Sequence, residues 1–351
     1  MEYKHIKEID FAGNIKERVF GIFLARDVEV RTQRDGVNQY INLTMCDKDF
    51  KINAKKFGAT EQDIQKMHNG GVYYAAIDVK EYAKEACGYS CVIYDFDCYD
   101  EDPSNFVEWA EGMAEAQQTI ATAITEIGSS IYKDLVYALI NENWADFSIW
   151  TAASSLHHNM LGGLMVHTAE VIAQSSSIAD FWEKKYGPNF INKPLLLSAA
   201  LLHDLAKIKE LNVDKCSGST EYSTQASLET HITMCISMID VTAYKLQFGY
   251  QVYAQCENAG VIPTKSDETL AKEQEALSLL KHCILAHHGK KEYGSPIDMN
   301  VPEAYIINIA DSLSAEMFRY NKNFKDMENS SSYIAWLGGN MVATYKDSTK
   351  Q

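Results

Sequence analysis

The chain changes its hydrophobic rhythm about a third of the way along. Between Arg18 and Cys98 apolar residues come in short runs, several with a period of two, as expected of strands with one buried face. VFGIFLARDVEV is one such run, and Arg34-Asp35-Gly36-Val37 after it carries a hairpin signal. YINLTMCD alternates, with Ile41, Leu43 and Met45 on one face and Tyr40, Asn42 and Thr44 on the other. Phe50 to Lys55 alternates again, with Phe57 following. GATEQDIQKMHNG reads as a short helix ended by Gly70–Gly71, and VYYAAIDVKEY and YSCVIYDFDCYD supply two more strands. Five strands with a short helix between the third and fourth predict an OB-fold β-barrel.

After Asp102-Pro103-Ser104 the period turns helical, which makes this the best domain boundary. The expected organisation is a barrel over 1–102, a connecting helix over 103–127 and an all-helical domain over 128–351. Asn105–Ile127 reads as a long polar helix. Tyr244–Lys272, rich in Gln, Glu, Lys and Tyr, is a candidate cap over the active site. The tail Lys325–Gln351 is polar, with Trp336-Leu337-Gly338-Gly339 as its apolar knot.

The chemistry collects in the helical part. PLLLSAALLHDLAKIKEL, Pro194–Leu211, reads as one buried helix with His203 and Asp204 in its middle. A buried aspartate is costly unless it is paired or bound to a metal. Lys207 follows Asp204 by three residues, on the same side, where it can meet a phosphate held by an ion. His167 lies in GGLMVHTAEVI, His231 in LETHITMCISMI, and His287–His288 close ALSLLKHCILAHHG, where Gly289 reads as a helix stop. Asp311 lies in AYIINIADSLSAEM, a helix predicted to start at Pro302. One histidine inside an apolar helix is usually a satisfied core residue. Five helices, each placing His or Asp in its interior, point instead to a metal site. Imidazoles and carboxylates without cysteine suit a hydrolytic transition-metal or magnesium site better than a structural zinc site. Upstream, SSLHHNMLGG offers His157 and His158 as candidate phosphate or sugar contacts. Gly163 in its double glycine either lets a substrate approach the backbone or makes a turn. On the barrel, Tyr40 lies beside Arg31, Arg34, Lys51, Lys55 and Lys56, a candidate strand-binding face in which Tyr40 stacks a base and Lys51 and Lys55 meet phosphates.

The order H…HD…H…HH…D, with HDxxK at its centre, resembles the HD superfamily of metal-dependent phosphohydrolases, and its longer form resembles the two-metal members. The resemblance implies that His167, His203, Asp204 and Asp311 hold one ion. Asp204 would bridge to a second, held by His231, His287 and His288. Two ions about 3.5–4 Å apart can activate a water and stabilise both oxygens of a phosphoryl displacement. The two-part layout, with HHNMLGGLMVHTAEV, ALLHDLAKIKEL, ILAHHGKKEYGSP and EAYIINIADSLSAEM, resembles the YhaM-type 3′→5′ exoribonucleases, although Thr230 stands where that pattern suggests glycine. This resemblance implies an OB-fold barrel followed by an all-helical HD domain, and a cytoplasmic phosphodiesterase acting on single-stranded RNA or short oligonucleotides. Asp204 and Lys207 would be catalytic and two divalent ions the cofactors. Manganese is the first expectation, and Fe, Ni, Co, Zn or Mg suit the same donors.

Composition narrows the partners. The net charge of −16 argues against general nucleic-acid coating. Residues 1–58 carry 11 Lys+Arg against 9 Asp+Glu, a balance of +2, so the remainder carries −18. Any positive strand-binding surface is therefore expected on the barrel. No signal core or membrane-spanning run is present, and the eight cysteines, without a CxxC pair, read as reduced thiols. A homo-oligomer is compatible with this reading. Two other functions remain open: a small-nucleotide phosphohydrolase, cleaving a nucleoside phosphate or cyclic dinucleotide, and a non-catalytic nucleic-acid-binding protein.

Overall fold

The structure is a computed structural model. It describes residues 3–15, 17–48, 50–82, 88–128, 130–154, 157–215, 218–256, 260–326, 332–337 and 340–345. The chain forms two compact units: Met1–Trp109 with Val213–Ser219, and Ala110–Asn212 with Thr220–Gln351.

The first unit is built on five strands, Arg18–Thr32, Gln39–Asp47, Phe50–Phe57, Val72–Glu81 and Tyr89–Cys98. The first strand is long because it serves two neighbours. Residues Arg18 to Leu24 pair with the fourth strand, and Leu24 to Thr32 with the second. A register shift between Arg26 and Glu29 lets it turn from one to the other. Asp27 at this bulge has φ of 52°, a conformation that aspartate tolerates better than most residues, and its Oδ2 accepts a hydrogen bond from Thr44 Oγ1. The third and fifth strands run parallel at Ala54–Cys91 and Lys55–Val92, which closes the barrel. Phe23, Ile41, Leu43, Met45, Ile52, Ile77 and Ile93 fill it. The short helix Glu61–Lys66 lies between the third and fourth strands, opened by a reciprocal Thr60–Asp63 capping box. This is the predicted OB-like order.

The second unit is helical: Met113–Ile127, Lys133–Phe147, Gly163–Tyr186, Lys193–Leu202, His231–Lys245, Asp267–Ala286 and Pro302–Asp326 are its main elements. Lys193–Leu202 is central, touching Met113–Ile127, Gly163–Tyr186, Asp267–Ala286 and Pro302–Asp326, which explains leucines on every side of it. The helix expected over Asn105–Ile127 begins only at Met113, after a 3-10 turn at Pro103–Phe106. It is not a polar connector either, because Ala116, Ile120, Ala123 and Ile127 enter the helical core. The stretch Tyr244–Lys272 contains a hairpin, Tyr253–Cys256 with Gly260–Pro263, and the polar tail holds another, Ser332–Leu337 with Asn340–Tyr345. Among the described residues no helix is long and apolar enough to cross a membrane.

Candidate metal centre

Most of the site's residues sit at the ends of helices. The run Pro194–Leu211 is not one helix. Lys193–Leu202 stops at His203, residues 203–206 form a tight turn, and a single helical turn, Lys207–Glu210, follows. The hydrogen bonds Leu205 N→Leu202 O and Lys207 N→Asp204 O, each three residues back, mark the tightening. His231 is the first residue of its helix, and His287 directly follows the helix ending at Ala286. Of these ligands only His167 and Asp311 lie in helix interiors, so the expectation of five helices each carrying a ligand in its interior is corrected. Periodicity marks a leucine-rich segment as helical but does not show where tertiary bonds interrupt it.

These elements bring two groups together. One ligand atom from each of His167, His203, Asp204 and Asp311 lies within 4.8 Å of the others, and the same holds for His231, His287 and His288. Asp204 stands between them. Its Oδ2 is 3.4 Å from Nε2 of both His167 and His203, and its Oδ1 is 3.4 Å from His231 Nε2 and 3.9 Å from His287 Nε2. His167 Nε2 also meets Asp311 Oδ1 at 3.2 Å. Asp204 Oδ1, His231 Nε2 and His287 Nε2 are buried and have no hydrogen-bond partner. Buried polar atoms are rarely left so, because each costs about 1–3 kcal/mol. Three of them converging, with imidazole and carboxylate donors only, fit a divalent cation.

The electrostatics fit as well. Burial alone would raise the Asp204 carboxyl, but the Lys207 ammonium, 2.6 Å from Oδ2, and the surrounding imidazoles hold it well below the usual carboxylate range. Burial opposes the charge on His167, yet hydrogen bonds to Asp204 and Asp311 raise it to about 9. A cation would satisfy the same two carboxylates in place of that proton. Burial pushes His287 and His288 down, which favours the neutral, ligating form.

His157 and His158 lie beside the cluster, with ring centroids 5.7 and 5.3 Å from that of His167. Burial holds His157 down at about 3 and also lowers His158. Gly163 is the first residue of its helix, next to Gly162 at φ of 77°. A Cβ on Gly163 would stand 2.1 Å from the His158 carbonyl oxygen, so the close approach is made by the chain's own backbone. Gly163→Ala is therefore expected to lower the melting temperature, at a cost of about 1–3 kcal/mol. A wild-type thermal transition would show that the loop can take another path. Tyr40, Lys51 and Lys55 lie on the outer face of the barrel, with Lys55 near Tyr40 and Lys51 toward the other end of the strand pair, opposite Cys46. Phe57 pairs with Tyr40 across the strands, its ring centroid 5.6 Å away, and Lys55 Nζ is 5.8 Å from the Tyr40 ring.

Sequence reasoning missed three residues. Glu210 accepts from the His231 backbone N–H at 2.9 Å, and both of its oxygens lie 3.0 Å from His231 Nδ1. It thus closes a helix start that Thr230 leaves uncapped. Glu170 and Ser314 stand behind His167. The available signal was spacing: each follows a ligand, His167 or Asp311, by three helical residues.

An OB-like barrel and a helical unit carrying a paired His/Asp cluster define a two-part chain with a candidate dinuclear centre. No family model matches it. The chain is similar to the 3′-5′ exoribonuclease YhaM of Bacillus velezensis, 28% identical over 208 residues, covering 59% of this chain and 56% of that protein. It is 29% identical over 203 residues to YhaM of Bacillus subtilis, covering 58% and 54%. The chain thus spans about half the length of the curated relatives it matches. Among solved structures, the OB domain of Ta0387 from Thermoplasma acidophilum aligns with 28% of this chain and 90% of its own, at 12% identity and a TM-score of 0.22.

Proposed function

We propose that this protein is a metal-dependent phosphodiesterase that removes nucleotides from the 3′ end of single-stranded RNA or short oligonucleotides. The observation that carries the reading is the buried Asp204 carboxylate, whose two oxygens face two separate histidine groups. The similarity to the YhaM exoribonucleases supports the substrate class.

Two divalent ions, when bound, would activate a water and neutralise charge on the phosphate. His167, His203, Asp204 and Asp311 would hold one, and Asp204, His231, His287 and His288 the other, with manganese the first candidate. Lys207, which cannot ligate as an ammonium, would donate to a non-bridging phosphate oxygen. His157 and His158, kept neutral by burial, can donate to the substrate's phosphate or sugar. On the barrel, Tyr40 and Phe57 would stack bases while Lys51 and Lys55 meet phosphates. The same reading expects the protein in the cytoplasm, in keeping with free thiols at Cys46, Cys98, Cys235 and Cys283.

A 5′-labelled single-stranded RNA, incubated with several divalent metals in turn, should give a ladder that shortens from the unlabelled end and disappears with excess chelator. Full activity in chelator would overturn the metal reading. Hydrolysis of nucleoside phosphates with oligomers untouched would replace it with a nucleotidase.

A further inference from the structure

The ligand imidazoles differ in what holds their second nitrogen. His203 and His287 each follow a helix end, where backbone carbonyls are free. Their Nδ1 atoms meet the oxygens of Ala200 and Ile284, at 2.8 and 2.7 Å. His288 Nδ1 meets Tyr293 O at 2.8 Å. His167 lies inside its helix, where the carbonyls are already bonded, and needs an acceptor from elsewhere. Its Nδ1 is 2.9 Å from Ser314 Oγ, and Ser314 Oγ is 2.6 Å from Glu170 Oε2. Ser314 is fully buried. His158 Nε2 stands farther off, 3.5 Å from both the Ser314 hydroxyl and Glu170 Oε2.

Chemistry fixes the polarity of this chain. An ionised carboxylate only accepts hydrogen bonds, so the Ser314 hydroxyl donates to Glu170. Its lone pair then accepts from His167 Nδ1–H. With the proton kept on Nδ1, Nε2 is the atom offered toward Asp204 and Asp311. The pieces fall into place by helix geometry: Glu170 lies three residues after His167, and Ser314 three after Asp311, each on the same face as the residue it follows.

We infer that Glu170, acting through Ser314, is a positioning residue that sets the tautomer and ring orientation of His167 for one of the two ions. The inference rests on the two-ion reading above. Removal of a group that orients a metal-bound histidine typically costs about 10–100-fold in metal affinity. The test is Mn2+ binding to the full-length protein, followed by electron paramagnetic resonance titration. Wild type should bind about two ions, as the dinuclear reading requires. Ser314→Ala should weaken one of them by about 10–100-fold and spare the other. Ser314→Thr, which keeps the hydroxyl, should restore most of the affinity. Glu170→Ala, at a half-buried position where folding is not at risk, should weaken the same ion as Ser314→Ala. The metal-free melting temperature of Glu170→Ala should stay near wild type, and that of Ser314→Ala, which leaves the buried His167 Nδ1 unpaired, should fall only modestly with the fold kept. Unchanged affinity in Ser314→Ala or in Glu170→Ala would overturn the relay, as would equal loss of both ions or collapse of the metal-free fold in both. A wild type that binds no Mn2+ would overturn the two-ion reading itself, and this inference with it.

Discussion

Asp204→Ala is expected to remove both metal ions and the phosphodiesterase activity together. The carboxylate is 1% exposed, and its two oxygens serve different histidine groups, so no neighbour can take over either role. Elemental analysis should fall from about two ions per chain to none, the count a dinuclear centre requires. Turnover should drop by about 10⁴-fold or more, as when a member of a cooperating catalytic unit is removed. The alanine has a second effect that must be separated from the first. It strands the buried Lys207 ammonium, whose partner stood 2.6 Å away. Breaking one side of a buried ion pair costs about 3–5 kcal/mol, so part of any loss could come from unfolding. Asp204→Asn keeps the shape and removes only the charge. Both variants should lose the metals, and the asparagine should melt closer to wild type. Lys207→Ala is the contrasting case. It should keep both ions and slow turnover by about 10²–10³-fold, the usual cost of losing one charge-stabilising donor. Metal retained in full by Asp204→Asn would end the bridging role. Metal lost from Lys207→Ala as completely as from Asp204→Ala would make the lysine structural.

The order of histidines and aspartates makes this cluster legible in the sequence, because so many ligating side chains on apolar segments have little other use. Their local setting was hidden. The leucines around His203 and Asp204 read as one buried helix, and only the 203–206 turn, held by bonds three residues back, aims Asp204 at both groups. His231 looked like an interior residue because its helix start has no local cap; Glu210, 21 residues earlier, supplies it. The barrel was legible because a two-residue period has few other causes. What alternation could not give was register. Phe57 read as an appendage to its strand until the pairing placed it opposite Tyr40. Nor did any linear signal place Val213–Ser219 in the barrel unit.

That pairing sets up the second large effect. Tyr40 and Phe57 face each other at 5.6 Å with an interplanar angle of 29°, and Phe57 is 46% exposed. Ile41 and Ile52, next to this face in sequence, point into the barrel core, so both rings can be removed without opening it. Base stacking is worth about 1–3 kcal/mol per base, so the double variant Tyr40→Ala with Phe57→Ala should bind a single-stranded oligomer at least about tenfold more weakly. The salt dependence should be gentle. Arg31 is engaged by Glu29 at 2.8 Å and Lys56 donates to the Tyr94 carbonyl at 2.9 Å, and Lys51 and Lys55 are the phosphate contacts proposed on this face. Two neutralised phosphates correspond to a log–log slope near about −1.4 for single strands. Fluorescence anisotropy of a labelled oligomer would read both quantities in an Asp204→Asn background, where the strand is not consumed. In the active protein the same two ring substitutions should leave hydrolysis of a small chromogenic phosphodiester unchanged, since that substrate needs only the metal centre. Unchanged strand affinity would remove the rings from recognition. Equal loss on the oligomer and the small diester would mean that they merely support the barrel.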